Sequence, residues 1–350
     1  MMRIIVDMMG GDKAPEEMVK GVCLAAQELE AEYTLVGDWD QLTAVAEKNG
    51  LSLEGFDVVD TKVAITMEDD PLCVTRGKAD SSMSIGLKLL AEGKGDAFVS
   101  AGNTGALFTG ANLIVRKVKG VRRPAIAAML PMHPPVLLLD SGANVSVTAD
   151  YMEQFAVMGS TYMKTVMGVE NPRVGLLNNG AEEHKGTQVQ IDTYGLLSKN
   201  PELNFVGNVE GNRVMNNACD VLVADGFSGN ILLKAMEGMG KLMLKTMKKL
   251  FLANTRTKLA ALVFKSKLGE VKKNFDAGEY GGAPILGIAR PVIKAHGSSD
   301  AKAFKNAIRQ ALVYSENQVT EELTEALGRL SARKKQEAAA AKASAEAQEG

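Results

Sequence analysis

The chain has 350 residues, with 40 Lys or Arg against 42 Asp or Glu and a formal charge of −2. That balance, with only 5 % aromatic residues, argues against a nucleic-acid partner, which would call for a basic face and stacking rings. Cys23, Cys73 and Cys219 stand far apart with no paired Cys/His spacing, so no zinc site is legible and three unpaired thiols suit a reducing cytosol.

The N-terminus runs straight into a strand-like segment, with no signal peptide, and no stretch of about 18 apolar residues suggests a membrane span. A cytoplasmic protein is expected. Residues 1–60 read β-α-β-α-β: Arg3–Val6, Pro15–Glu30, Tyr33–Val36, Asp40–Asn49 and Phe56–Val59. Pro15, with Asp12 before it, suits a helix start. A helix over 79–92 follows, with Asp80, Ser81 or Ser82 as its cap. Strands are expected at Ala97–Ser100, Ala125–Leu130 and Val136–Asp140. A long helix over Ala149–Val166 leads to Val174–Leu177, Gln188–Ser198, Phe205–Val206 and Val221–Ala224. Alternation of this kind predicts a doubly wound, mostly parallel α/β sheet in an αβα sandwich. We read residues 1–330 as one domain.

Residues 230–273 break the alternation. Met236, Met239, Met243, Met247 and Leu250 step by three and four, as on one helix face, and a second apolar block covers Leu259–Phe264. Residues 234–273 hold eleven basic and two acidic side chains, an excess of nine, so the rest of the chain carries an acidic excess of eleven. Such a basic amphipathic segment fits an anionic lipid surface; the same Met stripe also fits a dimer interface with the lysines as its rim. From 331 to 350 the chain is an Ala/Lys/Glu-rich tail, expected to be disordered or a frayed helix.

Five apolar runs stop at a small polar loop: Asp7-Met8-Met9-Gly10-Gly11-Asp12, Ser100-Ala101-Gly102-Asn103-Thr104-Gly105, Asp140-Ser141-Gly142-Ala143-Asn144, Asn178-Asn179-Gly180-Ala181-Glu182-Glu183, and Asp225-Gly226-Phe227-Ser228-Gly229-Asn230. Loops at the carboxyl ends of parallel strands are where ligands bind in open α/β sheets. Placed at one sheet edge, the five would form one backbone-exposing pocket for an anion. Glycine admits close backbone approach, though each loop alone reads equally as a tight turn. The Walker lysine loop and the dinucleotide fingerprint are both absent, so the anion is a small phosphate and no cofactor is expected. Gly226-Phe227-Ser228-Gly229 is one residue short of a nucleophile elbow.

Asn178–Gly186 is the densest charged cluster at a strand end. Lys185 could meet phosphate as a point charge, with Glu182 or Glu183 orienting it or acting as base; the string is also an ordinary charged helix entrance. The turn Ala295-His296-Gly297-Ser298-Ser299-Asp300 has the same style, with Ser299 or Asp300 as a helix cap. Gly281-Gly282-Ala283-Pro284 reads as a bend. This places the chemistry on Lys185, Asn103, Asn230 and Glu182. Substrate contacts fall to Asp7, Gly10, Gly11, Gly102, Thr104, Gly105, Asn144, Asp225, Ser228, Gly229, His296 and Ser298.

The strings Asp7–Asp12 with Ala14-Pro15, Asp80-Ser81-Ser82-Met83, Ser100–Ala106, Gly142-Ala143-Asn144, Asn208-Val209-Glu210-Gly211, Asp225–Asn230 and Ala295–Asp300 together closely resemble the bacterial phosphate acyltransferase family. The likeness covers about residues 3–320. Family members usually carry Ala where Met8 stands, and often Asn-Glu where Thr187-Gln188 stands. The resemblance implies a homodimer with a fold like the isocitrate/isopropylmalate dehydrogenase and phosphotransacetylase group. It implies reversible transfer of a fatty acyl group from acyl carrier protein to inorganic phosphate, with no cofactor. The acyl phosphate would feed a glycerol-3-phosphate acyltransferase in phospholipid synthesis. Acyl carrier protein is acidic, so Arg116, Lys117, Lys119, Arg122, Arg123 and the lysines of 241–273 are candidate docking cations. Two rival readings are an NAD-dependent dehydrogenase of the same broad fold and a non-enzymatic scaffold at the membrane surface.

Overall fold

The computed structural model describes residues 1–264, 277–279 and 281–349. Their strands form one sheet of 11, in the order β3-β2-β1-β4-β11-β10-β5-β6-β9-β7-β8. The first half comprises β1 (Met2–Asp7), β2 (Ala31–Gly37), β3 (Asp57–Asp60) and β4 (Ala97–Ser100), joined by β11 (Val292–Lys294), all parallel. The second half comprises β6 (Val136–Leu139), β7 (Arg173–Asn178), β8 (Asn204–Glu210) and β9 (Val221–Val223), again mutually parallel. Between them lie β10 (Ala283–Leu286) and β5 (Ala125–Leu130). The pairings β11–β10, β10–β5 and β5–β6 are antiparallel. Three reversals turn the second half against the first.

This corrects one expectation. The loops after β1 and β4 leave one end of the sheet, and those after β6, β7 and β9 leave the other, so the five do not share an edge. The reversal enters through β10, where Gly281–Pro284 reads as a bend. Gly281 (φ 91°) supplies the turn, and β10 begins two residues later.

Buried strands alternate their side chains between faces. Ile4, Val6, Leu137, Leu139, Val221 and Val223 point to one face. There they meet α1 (Glu16–Glu28), α5 (Ala149–Thr165), α10 (Ala301–Glu316) and α11 (Val319–Glu349) in one continuous core. The opposite face is divided. Ile5, Phe98 and Val292 pack under α3 (Ser82–Ala91) and α4 (Thr104–Gly110). Val136, Leu138 and Leu222 pack instead under α7 (Gly211–Val214) and Leu232, Leu233 and Met236 of α8 (Gly226–Leu252).

Past Met236 no residue of α8 is buried, and α9 (Thr255–Val263) is the helix that packs on it. Met239, Leu242, Met243 and Leu250 are about half exposed or more. The side chain of Leu262 and residues 265–276, with Lys265, Lys267, Lys272 and Lys273, lie outside the described residues.

The tail is helical. Residues 331–349 continue α11. Its first part is pinned where Arg333 Nη2 lies 2.5 Å and Lys334 Nζ 2.6 Å from the fully buried Glu153. Two cations and an Asn200 amide bond at 3.1 Å satisfy a carboxylate that would otherwise be costly to bury.

Candidate functional site

At the first sheet end the three loops are built around Asp7. Its Oδ1 accepts from Ser82 Oγ at 2.7 Å and its Oδ2 from Ser100 Oγ at 2.6 Å; Met9 N–H donates to Oδ1 at 3.2 Å. Burial pushes the Asp7 carboxyl upward in pKa, against these donors. Buried with its oxygens engaged, Asp7 is a strut and is not open to substrate. Gly10 is required by close packing: a Cβ there would lie 2.5 Å from Asp7 Oδ2 and 2.7 Å from Gly102 N. Gly11, at φ 113°, lies against Ala101 and Gly297, and Asp12 N–H donates to Gly297 O at 2.8 Å. Loops 7–12, 100–105 and 295–300 are thus one backbone cluster.

Asn103 is also a strut. Its Oδ1 caps α4 by accepting from Ala106 N–H at 3.0 Å. Its Nδ2 donates to Thr66 O, Met67 O and Asp69 O at 3.1–3.2 Å. Both amide hydrogens are thus engaged by main-chain carbonyls of the 66–69 segment. The exposed Thr104 is free to face a ligand, and Pro71 closes over Gly105, its Cγ 2.8 Å from where a Cβ would be.

Sequence reasoning passed over Lys294, the last residue of β11. Its Nζ donates to Ala101 O at 3.4 Å and to Ala295 O. Burial pulls its pKa down to about 8, opposed by Asp12 and Asp7 and aided by Lys234. A lone charge ending an apolar strand, just before His296, was the available signal. His296 Nδ1 accepts from Ser298 N–H at 3.2 Å and sits 2.9 Å from Ser298 Oγ. This places the ring proton on Nε2. Burial depresses the His296 pKa, and Lys234, Lys294 and Lys241 reinforce it. Lys234 stands two turns into α8. Its ammonium is ion-paired with Glu237 at 3.0 Å.

At the second end, Asp140 is fully buried. It accepts from Ile126, Gly142, Ala143 and Asn144 N–H at 2.6–3.2 Å and from Asn144 Nδ2 at 2.9 Å. Asn144 Nδ2 also donates to Pro124 O at 2.8 Å, so the Asn144 side chain braces the loop and is not a substrate ligand. The start of α8 is likewise closed. Asp225 Oδ1 accepts from Phe227 and Ser228 N–H at 3.0 and 2.8 Å. Gly226 and Gly229 N–H are taken by Asn144 O and Asp225 O. The dipole is already matched by a carboxylate, so this N-terminus is no phosphate cradle, and Asp225 is a cap. Gly229 is required because a Cβ would run into Asp140 O. Asn230 is exposed, packed beside Gly142, with Ser228 half-buried nearby.

Lys185 and Glu182 are exposed on the loop after β7, which is held by Asn178 Nδ2 to Lys185 O at 3.0 Å and Asn208 Nδ2 to Glu182 O at 2.7 Å. Among the described residues no hydrogen bond or ion pair joins Asn103 or Thr104 to Ser228, Asn230 or Lys185. The side chains left open are therefore Thr104, Lys294, His296 and Ser298 at one end, and Ser228, Asn230, Lys185 and Glu182 at the other.

Residues 2–322 match the family model described as fatty acid synthesis protein. The chain is 46 % identical over 312 residues to a phosphate acyltransferase of Thermoanaerobacterium thermosaccharolyticum, covering 89 % of this chain and 92 % of the relative. It is 43 % identical over 331 residues to a phosphate acyltransferase of Clostridium acetobutylicum, covering 94 % and 100 %. Among solved structures, a phosphotransacetylase from Streptococcus pyogenes superposes with a TM-score of 0.58 at 17 % identity, over 91 % of this chain and 94 % of that one. A 4-hydroxythreonine-4-phosphate dehydrogenase from Klebsiella pneumoniae gives 0.56 at 13 %, over 90 % and 100 %. Both structures share the fold.

Proposed function

The chain belongs to the fatty acid synthesis protein family, and from that membership we propose that it transfers a fatty acyl group from acyl carrier protein to inorganic phosphate. The observation that carries this reading is the match of residues 2–322 to the family and of 89–94 % of the chain to relatives named phosphate acyltransferase. The open side chains fit the chemistry. They are lysines, hydroxyls, an amide and an imidazole N–H, suited to seating an anion and an oxyanion. A phosphate oxygen attacks the thioester carbonyl carbon, the C–O bond forms, and the C–S bond breaks as the tetrahedral oxyanion collapses. Phosphate is itself the nucleophile. The departing thiol has an ordinary pKa of about 8.5, so it leaves without a strong acid. The one Ser–His contact among the described residues, His296 with Ser298, joins residues two apart whose ring nitrogen also receives a backbone N–H; it shapes the turn.

Lys185 and Asn230 remain our candidates for oxyanion or phosphate contact at the α8 end, and Glu182 for a base. Arg116 and Lys119, both exposed, are candidate contacts for an acidic carrier. Arg122 is already engaged by Asp150 at 2.8 Å. The product, an acyl phosphate, would serve glycerol-3-phosphate acylation for phospholipids. The test is thiol release: acyl carrier protein charged with a fatty acid, plus phosphate, should yield free carrier thiol, with acyl-CoA as a parallel donor. Absence of phosphate-dependent release from either donor overturns the reading.

A second element of the proposal is the α8–α9 hairpin. Its exposed apolar positions and lysines suit a partner subunit, an anionic membrane surface, or both. Leu242→Glu and Phe264→Glu separate the two: loss of vesicle flotation from an intact dimer favours lipid, and dissociation without flotation by wild type favours pairing. No helix among the described residues is long and apolar enough to cross a membrane.

A further inference from the structure

We propose that Lys294 is the cation that seats the attacking phosphate, with His296 Nε2–H as a second donor, at the junction of loops 7–12, 100–105 and 295–300. The inference rests on the acyl-transfer reading and deepens it. Its first support is the state of the ammonium group. Lys294 is only partly exposed, and its two partners are the carbonyls Ala101 O and Ala295 O. Among the described residues it forms no ion pair with a carboxylate, whereas the exposed Lys234 is paired with Glu237 at 3.0 Å. An ammonium with three donors, two spent on neutral carbonyls, retains one donor and its whole charge. Taking such a charge out of water is unfavourable until an anion arrives.

The second support is what surrounds it. Loops 7–12, 100–105 and 295–300 meet at this point through Asp12 N–H to Gly297 O and the close approach of Gly10 to Gly102. The glycines let the three backbone loops close on one another beside Lys294. His296 is held by Ser298 with its proton on Nε2, so it offers a donor at neutral charge. From α8, Lys234, ion-paired with Glu237 at 3.0 Å, lowers the pKa of both groups and Lys241 that of His296 alone, where Glu237 opposes them. The groups that face Lys294 are thus Asp7 from β1, Asp12 from its loop and Lys234 from α8, and Asp7 is held among hydroxyls at its own strut. The carbonyl contacts also hold Nζ at the end of β11, a rigid strand, which is where a positioning cation gains most from being pre-organised.

The test uses the full-length protein, with Lys294→Met to remove the charge at similar length and Lys294→Arg to restore it. Inorganic phosphate is the probe, with sodium chloride at matched ionic strength as control. Wild type should gain melting temperature with phosphate beyond the chloride control, and Lys294→Met should lose that gain. In thiol release Lys294→Met should raise the KM for phosphate tenfold to a hundredfold, the scale of a lost charge-assisted hydrogen bond. The KM for the acyl donor should stay within about twofold, and Lys294→Arg should recover part of the phosphate response. Without phosphate, Lys294→Met should melt no lower than wild type, because it relieves a buried unpaired charge; a structural lysine would give the opposite. An undiminished phosphate shift together with a wild-type phosphate KM in Lys294→Met overturns the proposal while leaving acyl transfer standing. A phosphate shift that depends on Lys294 in a protein that releases no thiol would sustain the anion pocket and overturn the reaction.

Discussion

Replacing Asn103 by Ala separates a catalytic amide from a structural one. In the structure the side chain does two things. It caps α4 through Ala106 N–H, worth about 1 kcal/mol. It also donates two N–H groups to three carbonyls of the 66–69 segment, worth about 1 kcal/mol for each N–H. Asn103→Ala should therefore cost about 3 kcal/mol in urea unfolding, a large fraction of a typical domain stability. Asn103→Asp keeps the cap acceptor but turns a carboxylate toward three carbonyls, so it should be at least as damaging. Limited proteolysis should find the 66–70 segment first, since its anchor to α4 is gone. Activity should fall in step with the loosened loop, because Met67 lies against Gly297. If Asn103→Ala keeps wild-type stability and protease resistance while kcat drops a hundredfold or more, the amide acts in the chemistry and the reasoning from its hydrogen bonds fails.

Three further expectations follow from the same geometry. Gly229→Ala drives a methyl into Asp140 O, and should cost about 1–3 kcal/mol as overpacking does while shifting Asn230; a variant as stable and active as wild type would show that the α8 start is not clamped. Lys185 is exposed and makes no side-chain bond among the described residues, so Lys185→Ala should leave the melting temperature unchanged while turnover at low phosphate falls about tenfold or more; unaltered turnover removes it from the site. Lys294 carries a pKa near 8 in the folded protein against an ordinary 10.5, so between those pH values the unfolded chain binds the extra proton. Phosphate-free stability should therefore rise as pH climbs from 8 to 10.5, by about 3 kcal/mol from this group. Urea titrations of wild type should climb toward those of Lys294→Met across that window, and parallel curves would refute the assigned burial.

Strand and helix positions were legible because continuous apolar runs and capping residues report local structure directly. Asp300 caps α10 and Ser81 caps α3 where such residues were expected. Strand direction was not legible. A Val/Leu run looks the same read upward or downward, and β10 hides behind a Gly-Gly-Ala-Pro string that also describes a bend. Loop chemistry was half legible. Gly, Asn and Asp were correctly seen to gather after strands, but the residues that cap a helix or brace a loop are the same types that hold a ligand. Asp7, Asn103, Asn144 and Asp225 turned out to be spent on the protein's own groups. Only the partner list distinguishes them from Thr104, Asn230 or Lys185. Lys294 went unseen because a single lysine at a strand end is ordinary in sequence; its unpaired state is visible only in three dimensions.

The divided face of the sheet has a mechanical meaning. On one side a single apolar core runs unbroken from α1 to α11 and ties both half-sheets together. On the other, the α3–α4 layer and the α7–α8 layer each rest on their own cluster. A small change of angle between those two layers would leave the continuous side intact and expose little new apolar surface. Apolar burial therefore couples the two half-sheets through the back of the molecule and not through its front.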